Sequence, residues 1–179
     1  DFDEVIKLDP NNINAWFHRG GAKESLGKYQ EAIKDFDEVI KLDPKNKDAF
    51  CLRGQSKAHY ENLLEEAIHD FDKAIEIYSN YVECLKLRAL CCSYLGESEK
   101  AIKDLDKIFE LERENIDHSF IGKIYNYSGN FDESIKYLNK AIEIDPKDSY
   151  SWQLRGSCKY HLDQYEEAIK DLDQAIKFD

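Results

Sequence analysis

The chain has no methionine, only three prolines and two tryptophans, and no apolar run approaching the roughly 18 residues that a membrane helix needs. The last absence argues against a membrane span. Without methionine, the sequence reads as a piece of a longer chain. Its opening DFDEVIKLDP is acidic and amphipathic, where a secretory signal would be basic and then apolar. Positive charge is scarce as well: 25 Lys and Arg stand against 37 Asp and Glu, giving a net charge of −12. Affinity for a phosphate backbone comes from clustered Lys and Arg, so nucleic acid is not an expected partner. Five cysteines, an odd number without a regular framework, do not suit a secreted disulfide scaffold. A reducing compartment, the cytoplasm, is the expected location.

What is there is a repeat. Gly20 and Gly54 stand 34 residues apart, as do Gly122 and Gly156, and Ala89 falls between the pairs at spacings of 35 and 33. A second column reads Ala32, Ala67, Ala101, Ser134 and Ala168, and Asp-Pro pairs recur at 9–10, 43–44 and 145–146. A fixed period of this length marks stacked supersecondary units. The spacing predicts a second helix of a preceding unit over 1–12, then units at 13–46, 47–81, 82–115, 116–148 and 149–179, in one continuous solenoid domain.

Each unit carries two helical patterns. In the first, Ala15, Trp16, Arg19, Gly20 and Leu26 recur at helical spacing before a stop at Gly27. In the second, Ala32, Ile33, Phe36, Val39, Ile40 and Leu42 form one apolar face before Pro44, which cannot continue a helix. Each unit is thus an αα-hairpin, the fold class is all-α, and neighbouring hairpins must stack to bury their two-sided apolar surface.

These columns, with Trp16 and Trp152, Tyr29 and Tyr165, Phe36 and Phe71 and the terminal prolines, resemble the tetratricopeptide repeat over essentially the whole chain. The resemblance implies a right-handed superhelix with first helices lining a concave groove and second helices on the convex side. It implies a protein-interaction scaffold, without catalysis or a cofactor.

The stretch LRGQSK (52–57) and its echoes HRGGAK (18–23) and LRGSCK (154–159) pair glycine with lysine as a phosphate loop does. Such a loop follows a strand and leaves its N–H groups free, whereas these glycines lie mid-helix, where each costs about 1 kcal/mol relative to alanine. Close approach of the two helices of a hairpin, against the small-residue column, is the expected reason. Arg19, Arg53, Arg88 and Arg155 precede the small residue, opposite a column of Asp35, Asp70, Asp104 and Asp171. The fourth unit lacks both members, with Ile121 and Tyr137 in their places. The pattern predicts four Arg–Asp bridges within hairpins and an apolar substitute in the fourth.

No HExxH, triad or paired C-x2-C signature is present, so catalysis and metal binding are not expected; Cys91, Cys92 and Cys158 read as core. The resemblance points instead to a peptide groove along the first helices, lined by Phe17 and His18, then Gln55 and His59, then Lys86, Leu87 and Tyr94. It continues through Phe120, Lys123 and Tyr127 and ends with Tyr150, Leu154, Tyr160 and His161. The carboxylate clamp that some members of the family use is missing: Phe17, Gly21, Leu52, Glu83 and Leu87 occupy its first window. An apolar, Tyr-lined groove suits an extended peptide or an amphipathic helix.

Departures from the pattern gather between 60 and 122: an extra residue in Tyr60-Glu-Asn-Leu-Leu64, and Ser79 and Arg113 in place of proline. They predict helices that run on near Tyr78 and Glu112, or looser turns there. Uncapped ends would favour self-association. Two alternative readings are the targeting or regulatory region of a larger enzyme and a structural part of a large assembly.

Overall fold

The computed structural model describes residues 1–60, 63–113 and 115–179, and among these it contains eleven helices and no strand. They run α1 (Phe2–Leu8), α2 (Ile13–Ser25), α3 (Tyr29–Leu42), α4 (Lys47–Ala58), α5 (Leu64–Ile77), α6 (Val82–Tyr94), α7 (Ser98–Leu111), α8 (His118–Tyr127), α9 (Phe131–Ile144), α10 (Ser149–His161) and α11 (Tyr165–Phe178). The chain divides into two compact units, Asp1–Cys91 and Cys92–Asp179, with the division inside α6. In the first unit α2 pairs with α3 and α4 with α5 as antiparallel hairpins, and α3 packs on α4. In the second, α8 pairs with α9 and α10 with α11, and α9 packs on α10.

The first helices start on short polar caps: Asn12, Asn46 and Asp117 accept the N–H of Ala15, Ala49 and Phe120. Gly27 and Gly129 close their helices at φ of 72° and 74°, a region in which glycine carries no Cβ penalty. The carboxylates of Asp9, Asp43 and Asp145 accept the N–H two residues on, which fixes the turn at each Asp-Pro pair.

All second helices from α3 to α11 are 14 residues long. Loss of proline therefore does not extend α5 or α7, which end at Ile77 and Leu111 just as α3 ends at Leu42. The reason is local: Asp43, Tyr78 and Glu112 all leave helical geometry, at φ of −132°, −142° and −112°, while each N–H still bonds the carbonyl four residues back. Proline reinforces an end that the next residue already makes. Of the extra residue near Tyr60, Glu61 and Asn62 lie outside the described residues.

The mid-helix glycines face large side chains rather than the small-residue column alone. A Cβ on Gly20 would stand 2.9 Å from Phe36, on Gly54 2.8 Å from Phe71, and on Gly122 2.6 Å from Leu138. Those three side chains are fully buried, so the glycine is the space they fill. All five cysteines are buried thiols, none in a disulfide.

Candidate peptide-binding surface

The expected Arg–Asp bridges of Arg19, Arg53 and Arg155 are present and bidentate. Arg19 donates to Asp35 at 2.9 and 2.7 Å, Arg53 to Asp70 at 2.9 and 2.5 Å, and Arg155 to Asp171 at 2.8 and 2.7 Å. A lysine one turn on joins each carboxylate: Lys23 at 2.9 Å, Lys57 at 2.8 Å and Lys159 at 2.8 Å. These are the lysines of the glycine–lysine stretches, and a buried aspartate already holds them.

The remaining arginine N–H reaches back to the preceding second helix, onto Asp3, Asp37 and Asn139 at 2.6 Å each, and Arg88 meets Asp72 at 2.5 Å. One arginine thus ties its own hairpin to the one before. Burial pushes the Asp171 acid up, but the bonds from Arg155 and Lys159 outweigh it and hold the carboxyl below its usual range.

The fourth hairpin replaces all three partners. Ile121, Tyr125 and Tyr137 take the places of arginine, lysine and aspartate. Ile121 is buried, and the Tyr125 and Tyr137 rings stack at 5.6 Å, with Phe109 at 5.8 Å from Tyr137. The Trp16 and Trp152 columns are also structural: each indole N–H donates to a proline carbonyl, of Pro10 and Pro146, and each ring carries an arginine, Arg19 at 4.7 Å and Arg155 at 4.6 Å.

In the first unit, His18 is exposed beside Phe2 and Phe17, at 6.0 and 5.7 Å, and Phe17 meets Phe36 edge-on. His59 is exposed and stacks on Tyr29 at 4.8 Å. Gln55, Lys86 and Leu87 are half-buried.

In the second unit the predicted residues form two aromatic groups. Tyr160, 59% exposed, stands edge-on to His161 and Tyr165, and His161 stacks on Phe131 at 4.7 Å. The other group joins α6, α8 and α10. Tyr94, 52% exposed, lies 4.6 Å from Tyr127, and the Lys123 ammonium sits 5.8 Å from the Tyr127 ring and 5.5 Å from that of Tyr150. The Tyr127 hydroxyl is hydrogen-bonded to those of Tyr94 and Tyr150. Burial alone would raise the Tyr127 phenol, but those two bonds and the Lys123 charge bring it below its ordinary value; burial and the Tyr127 bond raise Tyr150. Phe120 is half-buried.

One predicted lining residue is withdrawn: Leu154 is only 6% exposed and packs with Leu138 and Cys158. Among the described residues no group of three or more His, Cys, Asp or Glu could hold a metal ion, and no helix is long and apolar enough to cross a membrane.

A family model described as "Tetratricopeptide repeat" matches residues 13–46 and 118–148, a second of the same description matches 137–170, and a "Protein prenyltransferase alpha subunit repeat" model matches 1–22. The human mitochondrial import receptor subunit TOM70 is 32% identical over 123 residues, covering 65% of this chain and 20% of its own. The chain spans 20% to 32% of the length of the curated relatives it matches. Among solved structures, a tetratricopeptide repeat protein from Parabacteroides merdae superposes at a TM-score of 0.87 with 20% identity, over 98% of this chain and 70% of that one. YrrB, a TPR protein with an unusual peptide-binding site, gives 0.76 at 18% identity, over 99% and 91%.

Proposed function

The chain is a tetratricopeptide repeat protein, and from that premise we propose that it is a protein-interaction module that holds a partner's peptide, or an amphipathic helix, on the aromatic face of its first helices. The observation that carries this reading is the meeting of Tyr94, Tyr127 and Tyr150 from α6, α8 and α10, with Tyr94 half exposed. Tyrosine brings a rigid apolar ring and a polar tip, which is why it is enriched where proteins meet. The fold shared with YrrB, which has an unusual peptide-binding site, supports the same reading. The chemistry is burial of apolar anchors on a preformed surface, without a covalent step.

A peptide-array screen with the chain and its Tyr94→Ala and Tyr127→Ala variants tests it. Each substitution should weaken binding roughly tenfold or more, as loss of a central aromatic anchor does. Unchanged binding of every peptide found would move the site elsewhere.

A second reading follows from length. Since the chain covers a third or less of its relatives, it also fits the recruiting region of a larger protein whose catalytic part lies outside these residues. The flanking sequence decides between a free-standing module and such a region.

A further inference from the structure

The helix α4 lies against α2 and α3, and α10 lies against α8 and α9, so each of these first helices fills the groove of the hairpin before it. On α9 the covered residues are Phe131, Ile135 and Leu138, which pack with Leu154 and Cys158 of α10, and Ile142 is left 8% exposed. Their counterparts on α11 are Tyr165, Ile169, Leu172 and Ile176, all exposed, Ile176 to 76%. Together with Ser149 and Gln153 of α10, Leu172, Ala175 and Ile176 line an open groove of about 310 Å³. The groove has the lining of a helix seat.

Two polar marks give this seat a register. In the filled grooves an arginine of the covering helix reaches an acceptor on the covered one: Arg19 meets Asp3, Arg53 meets Asp37, Arg88 meets Asp72 and Arg155 meets Asn139. The same position on α11 is Asp173, which is exposed, and among the described residues no arginine meets it. Six residues past the arginine, His59 stacks on Tyr29 at 4.8 Å and His161 on Phe131 at 4.7 Å. Tyr165 holds that place on α11.

We propose that the groove between α10 and α11 is a second docking surface, and that its occupant is an amphipathic helix of a partner protein carrying adjacent leucine and arginine, with histidine or another ring six residues past the arginine. LRGQSKAH (52–59) and LRGSCKYH (154–161) are this chain's own versions of that pattern. The partner's arginine pairs with Asp173, its ring lies on Tyr165, and its apolar side covers Ile169, Leu172 and Ile176. None of Tyr94, Tyr127 and Tyr150 takes part, so the proposal stands apart from the reading above. A second copy of the chain is a poorer fit. Its α1 has Phe2, Val5 and Leu8 exposed but carries Asp3 and Glu4 and no arginine, which would set like charges against Asp173.

The probe is a synthetic peptide of residues 46–59 with Cys51→Ala and both ends blocked, titrated into the chain to millimolar concentration because so short a helix is marginal in water. Amide chemical shifts should move at Tyr165, Ile169, Asp173 and Ile176. Arg53→Gln in the peptide, or Asp173→Asn in the chain, should weaken binding roughly three- to tenfold, and Asp173→Arg with the peptide's Arg53→Asp should restore most of it. Asp173 is exposed, so these variants keep the fold, which far-UV circular dichroism checks. Absence of binding, binding indifferent to both charge changes, or shifts that fall on Tyr94 and Tyr127 instead overturns the proposal. Self-association of the free chain that Ile176→Asp abolishes gives the face to a second copy and overturns it too. So does a full-length chain that binds no peptide because its own flanking residues close the groove.

Discussion

Gly20, Gly54, Gly122 and Gly156 lie mid-helix where a neighbour needs their space, Gly21 lies mid-helix where none does, and the neighbours differ in how far they can yield. A Cβ on Gly122 would stand 2.6 Å from Leu138 and one on Gly54 2.8 Å from Phe71, both fully buried. Gly122→Ala and Gly54→Ala should therefore lose about 1–3 kcal/mol to overpacking despite alanine's better helix propensity. At Gly156 the contact is 3.0 Å to Leu172, which is 38% exposed and free to turn aside, so the loss should be smaller. Gly21 meets nothing within 4 Å, and Gly21→Ala should stabilise the chain by about 0.5–1 kcal/mol. Urea unfolding of the four variants checks the order. The buried aspartates carry a second prediction. Because Asp171 is held below its usual range by Arg155 and Lys159, its contribution is complete at neutral pH and is lost as pH falls through the depressed value. Asp171→Asn should flatten the acid limb of the stability profile, from about pH 5 downward, while lowering stability at pH 7.

At the scale of the helix pair, an arginine, a lysine and an aspartate form one unit that the fourth hairpin exchanges whole for Ile121, Tyr125 and Tyr137. Removing one member strands the others: Asp70→Ala leaves Arg53 and Lys57 without their buried carboxylate and should cost about 3–5 kcal/mol. Exchanging all three should not. The triple variant Arg155→Ile, Lys159→Tyr, Asp171→Tyr should stay within about 1 kcal/mol of the parent, because buried ion groups are often replaceable by packed apolar ones. Thermal unfolding of the triple variant beside Asp171→Ala separates the two outcomes. Helix ends follow the same logic of local sufficiency. Since Tyr78 and Glu112 stop α5 and α7 without proline, Pro44→Ser should leave the end of α3 at Leu42. An amide chemical-shift helix profile reads this directly.

Over the whole molecule, much of the architecture was legible because it is written in columns. Period, helix pairs, mid-helix glycines and the Arg–Asp pairing each recur, and the joint loss of arginine and aspartate at Ile121 and Tyr137 identified their pairing. The lysines' partners were not read from the sequence, although Lys23, Lys57 and Lys159 recur as regularly as the arginines. The backward contacts to Asp37 and Asn139 escaped because they lie two residues beyond the aspartate column. The candidate surface was legible only in part. Tyr94 and Tyr127 share a column, but their meeting with Lys123 and Tyr150 depends on how α10 seats against α8, which no period encodes. Leu154 shares a column with Phe120 yet is buried, because Leu138 and Cys158 close over it. The net charge of −12 also acts at this scale. An acidic peptide would approach against the long-range field, so its association rate should rise as salt screens that field, whereas a basic peptide would show the reverse. The central claim is that partners bind on the tyrosine face of the first helices. It is tested most directly by amide and side-chain chemical-shift mapping of the chain with its best array peptide. The account predicts the largest shifts at Tyr94, Lys123, Tyr127 and Tyr150; shifts confined to the second helices, with these four unmoved, would contradict it.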